Sequence, residues 1–149
     1  MAARDFFVKK AARAVLRPGE SILQSCLVTL PGTLKREGYY GAIRGITGIS
    51  IQDVAGDGGL PPKMIMVVTE QRLLLFEQTM IGFAKGLSAE IDRAQVAGGR
   101  QTGTSRAQVS VKVYGFAIDF ADGNSMELES ADRAGLDAAL NLVNAPAQV

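Results

Sequence analysis

Any chemistry in this chain would have to come from carboxylates, hydroxyls, amines or one thiol, because its 149 residues include no histidine. Histidine is the commonest general base near neutral pH and the commonest metal ligand. The single cysteine, Cys26, cannot build a zinc site without further cysteine or histidine ligands. The carboxylates of Asp119, Glu127 and Glu129 fall on the polar side of alternating strand patterns, where solvation accounts for them. We therefore expect no catalytic residues, no metal site and no cofactor, and a protein that is not an enzyme.

A glycine-rich run is the first feature that could bind a ligand. The run GGRQTG, residues 98–103, could offer backbone N–H groups to an anion. No helix pattern opens after it, and the chain has no G-x-x-x-x-G-K-[ST] sequence of the phosphate-binding loop type. Of the two interpretations, an anion cradle and a flexible turn, the sequence favours the turn.

The N-terminal residues 3–16 are the second candidate, because they combine a helical pattern with a row of cations. The candidate lipid- or anion-binding residues are Lys9, Lys10, Arg13 and Arg17, joined by Lys35 and Arg36 in the loop after the first strand. Such a helix could lie on an anionic membrane with its cations toward the headgroups. Alternatively, its apolar side packs on the protein or on a neighbouring subunit and leaves a solvated charged face. We favour this second interpretation, because Phe7 is the one large aromatic residue on the apolar side.

The third candidate is the connection at residues 31–63, which is long for a loop and holds eight of the seventeen glycines. The candidate partner-contact residues there are Gly38, Tyr39, Gly41, Ile43, Gly45, Ile46 and Gly48. In a helix these glycines would form a stripe that lets a second backbone approach closely, although each glycine costs a helix about 1 kcal/mol. A mobile loop is the alternative. We favour partner contact, because so apolar a loop would be a liability if it stayed exposed.

Charge and hydropathy limit the surroundings of the protein rather than its activity. Lys plus Arg number 16 and Asp plus Glu number 15, so nothing indicates a nucleic-acid partner. Residues 1–17 are basic and residues 119–149 are acidic, so the two ends could pair within one chain or between chains. One cysteine in an apolar run is typical of a buried thiol in a reducing compartment. With no signal-peptide pattern and no run near ~20 apolar residues, we expect a cytoplasmic protein that could lie at the inner face of the membrane.

The elements that must position these residues are predicted from hydrophobic periodicity. They are a helix at 3–16, strands at 21–30, 64–69 and 72–78, two short strands within 87–101, a strand at 107–120 with one apolar face, a returning strand after Asp122-Gly123, and a helix at 131–144 with Ser130 as its N-cap. Glu70-Gln71 is predicted to be the two-residue turn of a hairpin, because a polar break separates two apolar runs. A single buried helix is the alternative, and the β-branched residues before the break argue against it. Antiparallel strands closed by one helix predict a mainly β fold, a small barrel or a sandwich.

Three short motifs resemble those of bacterial pleckstrin-homology-like domains and the related GRAM-type domains. Pro18-Gly19-Glu20 precedes the first strand, Thr69-Glu70-Gln71-Arg72-Leu73-Leu74 joins two apolar runs, and Asp122-Gly123 turns a later strand pair. The resemblance implies a seven-stranded antiparallel barrel capped by the last helix, with the polar triplet at 70–72 forming a hairpin tip. It covers residues 18–144, with a Gly-rich insertion at 31–63. Residues 1–17 are an additional basic helix, and residues 145–149 are a tail.

This resemblance implies a binding role rather than a reaction. Some relatives hold phosphoinositides through a Lys-x(n)-Lys-x-Arg pattern, of which this chain has only Lys35-Arg36 and the later Arg44, so headgroup binding does not carry over. We expect a non-catalytic binding or assembly module that associates with itself or docks to another protein through residues 36–51 and the N-terminal helix. The alternative is peripheral binding to anionic membrane lipids through the basic helix and the first inter-strand loop.

Overall fold

The fold was obtained as a computed structural model, which describes residues 3–31, 60–78, 84–108 and 111–145, leaving aside the side chains of residues 3–7, 105–108 and 111. Its elements are helix α1 (Ala3–Arg13), strands β1 (Ile22–Thr29), β2 (Lys63–Thr69), β3 (Arg72–Gln78) and β4 (Ala84–Asp92), a 3-10 turn (Arg93–Gln95), strands β5 (Val96–Gln108), β6 (Val111–Phe120) and β7 (Ser125–Ser130), and helix α2 (Arg133–Asn144). The predicted mainly β chain with one helix at each end is confirmed.

The seven strands form one antiparallel sheet, in the order β4-β3-β2-β1-β7-β6-β5. Strands that follow one another pair as hairpins, from β2 to β4 on one side and from β5 to β7 on the other. Strand β1 joins the two halves, since it pairs with β2 along its length and with β7 where Thr29 lies opposite Glu129. The edge strands of the described sheet are therefore β4 and β5.

Helices α1 and α2 cover opposite faces of this sheet. On one face Val8 and Ala12 of α1 pack in a cluster with Ile65, Val67, Leu74 and Phe76. On the other face Leu136, Ala139, Leu140 and Val143 of α2 pack with the alternate residues of the same strands, among them Met66, Val68 and Leu75. Burial on both faces explains why β2 and β3 read as unbroken apolar runs instead of alternating ones. The packing of Val8 and Ala12 confirms that the apolar side of the N-terminal helix lies on the protein itself.

The hairpin of β2 and β3 turns at Glu70-Gln71, as the polar break predicts, with Val68 opposite Leu73 as the last paired residues. Arg72 departs from the prediction of a polar hairpin tip. It is the first residue of β3, and only 3% of its surface is exposed. A buried guanidinium is tolerated here because acidic side chains and a carbonyl group take up its hydrogen bonds, as described below.

Strand β6 is buried on both faces, so the prediction of one apolar face at 107–120 is wrong. Strand β6 begins at Val111, and from Tyr114 to Asp119 it pairs with β7 without a register break, which places Val113 and Phe116 on opposite faces. Both residues, with Ala117, are fully buried. The register breaks lie in the neighbouring β5 instead, one of them between Gln101 and Gly103.

The glycine-rich run at 98–103 lies inside β5, so the predicted flexible turn is wrong. The reason is the approach of α2, because a Cβ atom added at Gly99 would lie 2.7 Å from the Leu140 Cδ2 atom. The N-cap of α2 is Asp132 and not Ser130, since the Asp132 carboxylate accepts a hydrogen bond from the Gly135 N–H at 3.1 Å. The Ser130 hydroxyl instead donates to the Leu27 carbonyl and closes the end of β7.

Candidate functional site

The first polar cluster joins two of the motifs that the sequence singles out. Gly19 adopts a positive φ of 79°, and this turn brings Glu20 beneath the β2–β3 hairpin. The Glu20 carboxylate accepts hydrogen bonds from the Arg72 guanidinium, from the Thr69 hydroxyl at 2.6 Å and from the Arg17 N–H at 2.9 Å. These buried hydrogen bonds connect the segment before β1 to the β2–β3 hairpin.

Arg72 extends this network in two further directions. Its Nη1 atom donates to the Glu90 carboxylate of β4 at 2.7 Å, and its Nη2 atom donates to the Val15 carbonyl at 2.8 Å, just after α1. The hydrogen bond from Arg72 lowers the pKa of Glu20 to about 2, and the same bond raises the pKa of Arg72. Both groups stay ionised over the physiological range, so the pair holds the segment after α1, β3 and β4 together as charged partners.

A second polar contact closes the hairpin tip against the start of β1. The Glu70 carboxylate accepts from the Ser21 N–H and from the Ser21 hydroxyl at 2.8 Å. The hydrogen bond from the Ser21 N–H lowers the pKa of Glu70. Glu70 therefore holds the start of β1 against the hairpin tip.

The cations predicted for the N-terminal helix divide into two groups. Lys9, Lys10 and Arg13 lie together on the exposed side of α1, and no acidic side chain among the described residues pairs with them. Arg17 lies after the helix and forms an exposed ion pair with Asp92 of β4 at 3.5 Å. None of the acids at 119–149 contacts these four cations in the described part of the chain, so the predicted pairing of the two ends within one chain is not seen there.

The other predicted site residues lie outside the described residues. These are Lys35 and Arg36 of the lipid-binding group, and Gly38, Tyr39, Gly41, Ile43, Gly45, Ile46 and Gly48 of the partner-contact group.

Strand β5 presents a feature that sequence reasoning missed, a long exposed edge. It has thirteen residues, and residues 100–104 are all exposed. Helix α2 occupies the backbone of this edge at Gly99, where the Asn144 side chain accepts from the Gly99 N–H at 2.9 Å and donates to the Gly99 carbonyl at 2.8 Å. The run of glycine, threonine and glutamine could have indicated an edge strand, but the same composition is typical of turns, and only the strand order distinguishes the two.

The side chains near this edge are engaged with their own chain. Arg100 pairs with Asp119 of β6 at 3.0 Å, and the Gln101 side chain donates to Asp137 of α2 at 2.8 Å. What remains available along the edge is the backbone itself. Because the Gly99 N–H and carbonyl both meet Asn144, they point away from β6, and the backbone groups of Gln101, two residues on, point the same way.

The described residues contain no group of three or more side chains that could hold a metal ion. Within the same residues, no helix combines the length and the apolar character needed to cross a membrane. A scan against protein-family models gave no match, and a search among curated proteins found no relative. The arrangement of edges, charges and helices therefore carries the functional argument.

Proposed function

We propose that this chain is a non-catalytic binding module of the pleckstrin-homology-like type, which docks an extended segment of a protein partner along the free edge of β5. The fold part of the proposal is supported by seven antiparallel strands followed by one helix. It is supported further by the hydrogen bonds that join Glu20 to Thr69 and Arg72, since these residues belong to two of the motifs on which the resemblance depends.

The observation that carries the binding proposal is the exposed edge itself. Unpaired backbone N–H and C=O groups on an edge strand are a ready template for another strand, and many recognition domains bind extended peptides in this way. Natural sheets usually protect an edge with short strands, prolines, bulges or charged side chains. Of these, β5 has Arg100 and a register break between Gln101 and Gly103. The exposed stretch at 100–104 contains no proline, and one side chain, that of Asn144, occupies the edge before it.

A separate protein fits this edge better than a second copy of the chain. Strand β5 carries two arginines, at 100 and 106, and no acidic residue. If two copies of β5 paired antiparallel about Gly103, each of these arginines would lie opposite the other, and like charges directly opposite are destabilising. A segment of neutral or acidic character avoids this repulsion.

The test selects binders from a displayed library of short random peptides and asks whether they need the backbone of β5. Gln101→Pro removes the N–H that points away from β6, while proline remains compatible with an edge strand. We expect the selected peptides to lose binding to Gln101→Pro at least tenfold. The matched control is Gln101→Ala, which removes the contact with Asp137 but keeps the N–H, and it should bind as wild type does.

Two outcomes would contradict the proposal. In the first, the library yields no peptide that binds above background. In the second, the selected peptides bind Gln101→Pro as tightly as wild type, although the unfolding curve of this variant matches that of wild type. Light scattering over a range of protein concentrations completes the test. If the particle size of the wild type grows with concentration and that of Gln101→Pro does not, the occupant of the edge is a second copy of the chain.

A further inference from the structure

The end of helix α2 lies against the edge of β5, just before the exposed stretch at 100–104. The Asn144 side chain accepts a hydrogen bond from the Gly99 N–H at 2.9 Å and donates one to the Gly99 carbonyl at 2.8 Å. In an antiparallel sheet, two residues that form a hydrogen-bonded pair exchange the same two bonds. One amide side chain therefore takes the place beside Gly99 that a residue of an added strand would take.

Two glycines at the start of β5 allow this approach. A Cβ atom added at Gly98 would lie 3.0 Å from the Asn144 Oδ1 atom, and one added at Gly99 would lie 2.7 Å from the Leu140 Cδ2 atom. Glycine has no Cβ atom, so another part of the chain can come close to its backbone. The amide of Asn144 reaches the edge because no side chain at these two positions separates it from the strand.

The last turn of α2 is also held by a segment outside β5. The Arg93 guanidinium donates to the Leu142 carbonyl at 2.7 Å and to the Thr69 carbonyl at 2.9 Å, so it connects the end of the helix to the end of β2. Val143, the neighbour of Asn144 in the chain, is 7% exposed and packs in the core beneath α2. These contacts fix the position from which Asn144 binds the edge.

From this geometry we infer that Asn144 limits the length of the segment that docks on β5, an inference that rests on the function proposed above. The outward-pointing backbone groups of Gln101 are open to the segment. Those of Gly99, two residues earlier, can be reached only if the Asn144 side chain leaves them. A docked segment must therefore end, or turn away from the sheet, beside Asn144, and residues that continue past this point add nothing to its affinity.

The experiment uses the peptides selected for binding to β5, trimmed to the shortest length that keeps their affinity. Each is compared with two longer versions, one extended by two alanines at its amino end and one at its carboxyl end. Fluorescence anisotropy gives the Kd of every version for wild type and for Asn144→Ala. One of the two extensions runs toward Gly99, and on wild type it should leave the Kd unchanged.

On Asn144→Ala the same extension should lower the Kd about fivefold, because the N–H and the carbonyl of Gly99 become available to it. A factor of this size corresponds to roughly one net hydrogen bond, since the ordering of the added residues offsets part of the two that form. Asn144→Asp is a second test. A carboxylate keeps an acceptor for the Gly99 N–H but cannot donate to the Gly99 carbonyl, so this variant should show part of the gain.

The matched control is Asn141→Ala, which removes an exposed asparagine side chain from α2 three residues earlier. It should bind every peptide as wild type does. The inference is overturned if each extension changes the Kd equally for wild type and Asn144→Ala, or if Asn141→Ala gives the same gain as Asn144→Ala. In both cases the loss of binding to Gln101→Pro would still support docking on β5. Peptides that bind Gln101→Pro as tightly as wild type would instead overturn the proposed function, and this inference with it.

Discussion

Glu20 and Arg72 lie 52 residues apart in the sequence and form a buried ion pair, with the Glu20 side chain 0% exposed and the Arg72 side chain 3% exposed. The pair connects the turn after α1 to the first residue of β3. Because Arg72 also binds the Val15 carbonyl and Glu90, three separate segments depend on one guanidinium.

Replacing Arg72 with Met should lower the free energy of unfolding by about 3–5 kcal/mol, because it leaves the Glu20 carboxylate buried without its partner. Urea unfolding followed by circular dichroism measures the change. The matched control is Arg100→Met, which breaks the exposed pair with Asp119 and should cost no more than about 1 kcal/mol. Equal losses for the two variants would mean that the Glu20–Arg72 pair contributes no more than a surface contact does.

Stability should fall in acid as Glu20 becomes protonated. The pKa of Glu20 is about 2 in the folded protein against an ordinary value of 4.5. A carboxyl group with a lowered folded pKa contributes stability that is fully present above its unfolded pKa and is lost as the pH falls toward the folded value. This contribution is about 3 kcal/mol, and it disappears between pH 4.5 and pH 2.

The comparison that tests this pH dependence is between wild type and Glu20→Gln. Their difference in unfolding free energy should be largest at about pH 6 and should narrow steadily below about pH 4.5. Urea titrations at a series of pH values give the two curves. A difference that stays constant down to about pH 3 would show that Glu20 is not the group whose protonation weakens the fold.

Gly99→Ala should destabilise the protein by roughly 1–3 kcal/mol, because the added Cβ atom would overlap the Leu140 side chain and push α2 from the sheet. The control is Gly103→Ala in the same strand, where no atom lies within 4 Å of the added Cβ. That substitution should be neutral. Thermal unfolding measures both, and a neutral Gly99→Ala would mean that α2 does not pack on β5 as closely as described.

Leu74→Ala should cost about 2–5 kcal/mol, because Leu74 is fully buried in the cluster between β3 and α1. Leu23→Ala is the control, since Leu23 is 44% exposed and its removal leaves no cavity. Both are measured by denaturant unfolding. A loss below about 0.5 kcal/mol for Leu74→Ala would contradict the register of β3 and the position of α1 over it.

Local features of the fold could be predicted from the sequence. The hairpin at 64–78 could be predicted because the two apolar runs and the polar break between them lie next to one another in the chain. The same holds for α2, whose apolar stripe of Leu136, Leu140 and Val143 follows helical spacing and is buried as expected. Cys26 is buried, as its apolar neighbours predict.

Features that depend on residues far apart could not be predicted. Arg72 has the same neighbours in sequence whether it caps a turn or enters the core, and its burial depends on Glu20 and Glu90 reaching it from other segments. Likewise, Asp132 rather than Ser130 caps α2, and the Ser130 hydroxyl instead donates to the Leu27 carbonyl of β1 and accepts from the Asp132 N–H.

The candidate sites show the same division. Residue types alone determined that the chain has no histidine and a single cysteine, and helical spacing determined that Lys9, Lys10 and Arg13 share one side of a helix, because a helix repeats every 3.6 residues. Only the tertiary structure decided that the apolar side of this helix is occupied and that β5 is an edge strand. Those facts depend on the order in which strands pair, and pairing energy comes from contacts between segments that the sequence separates.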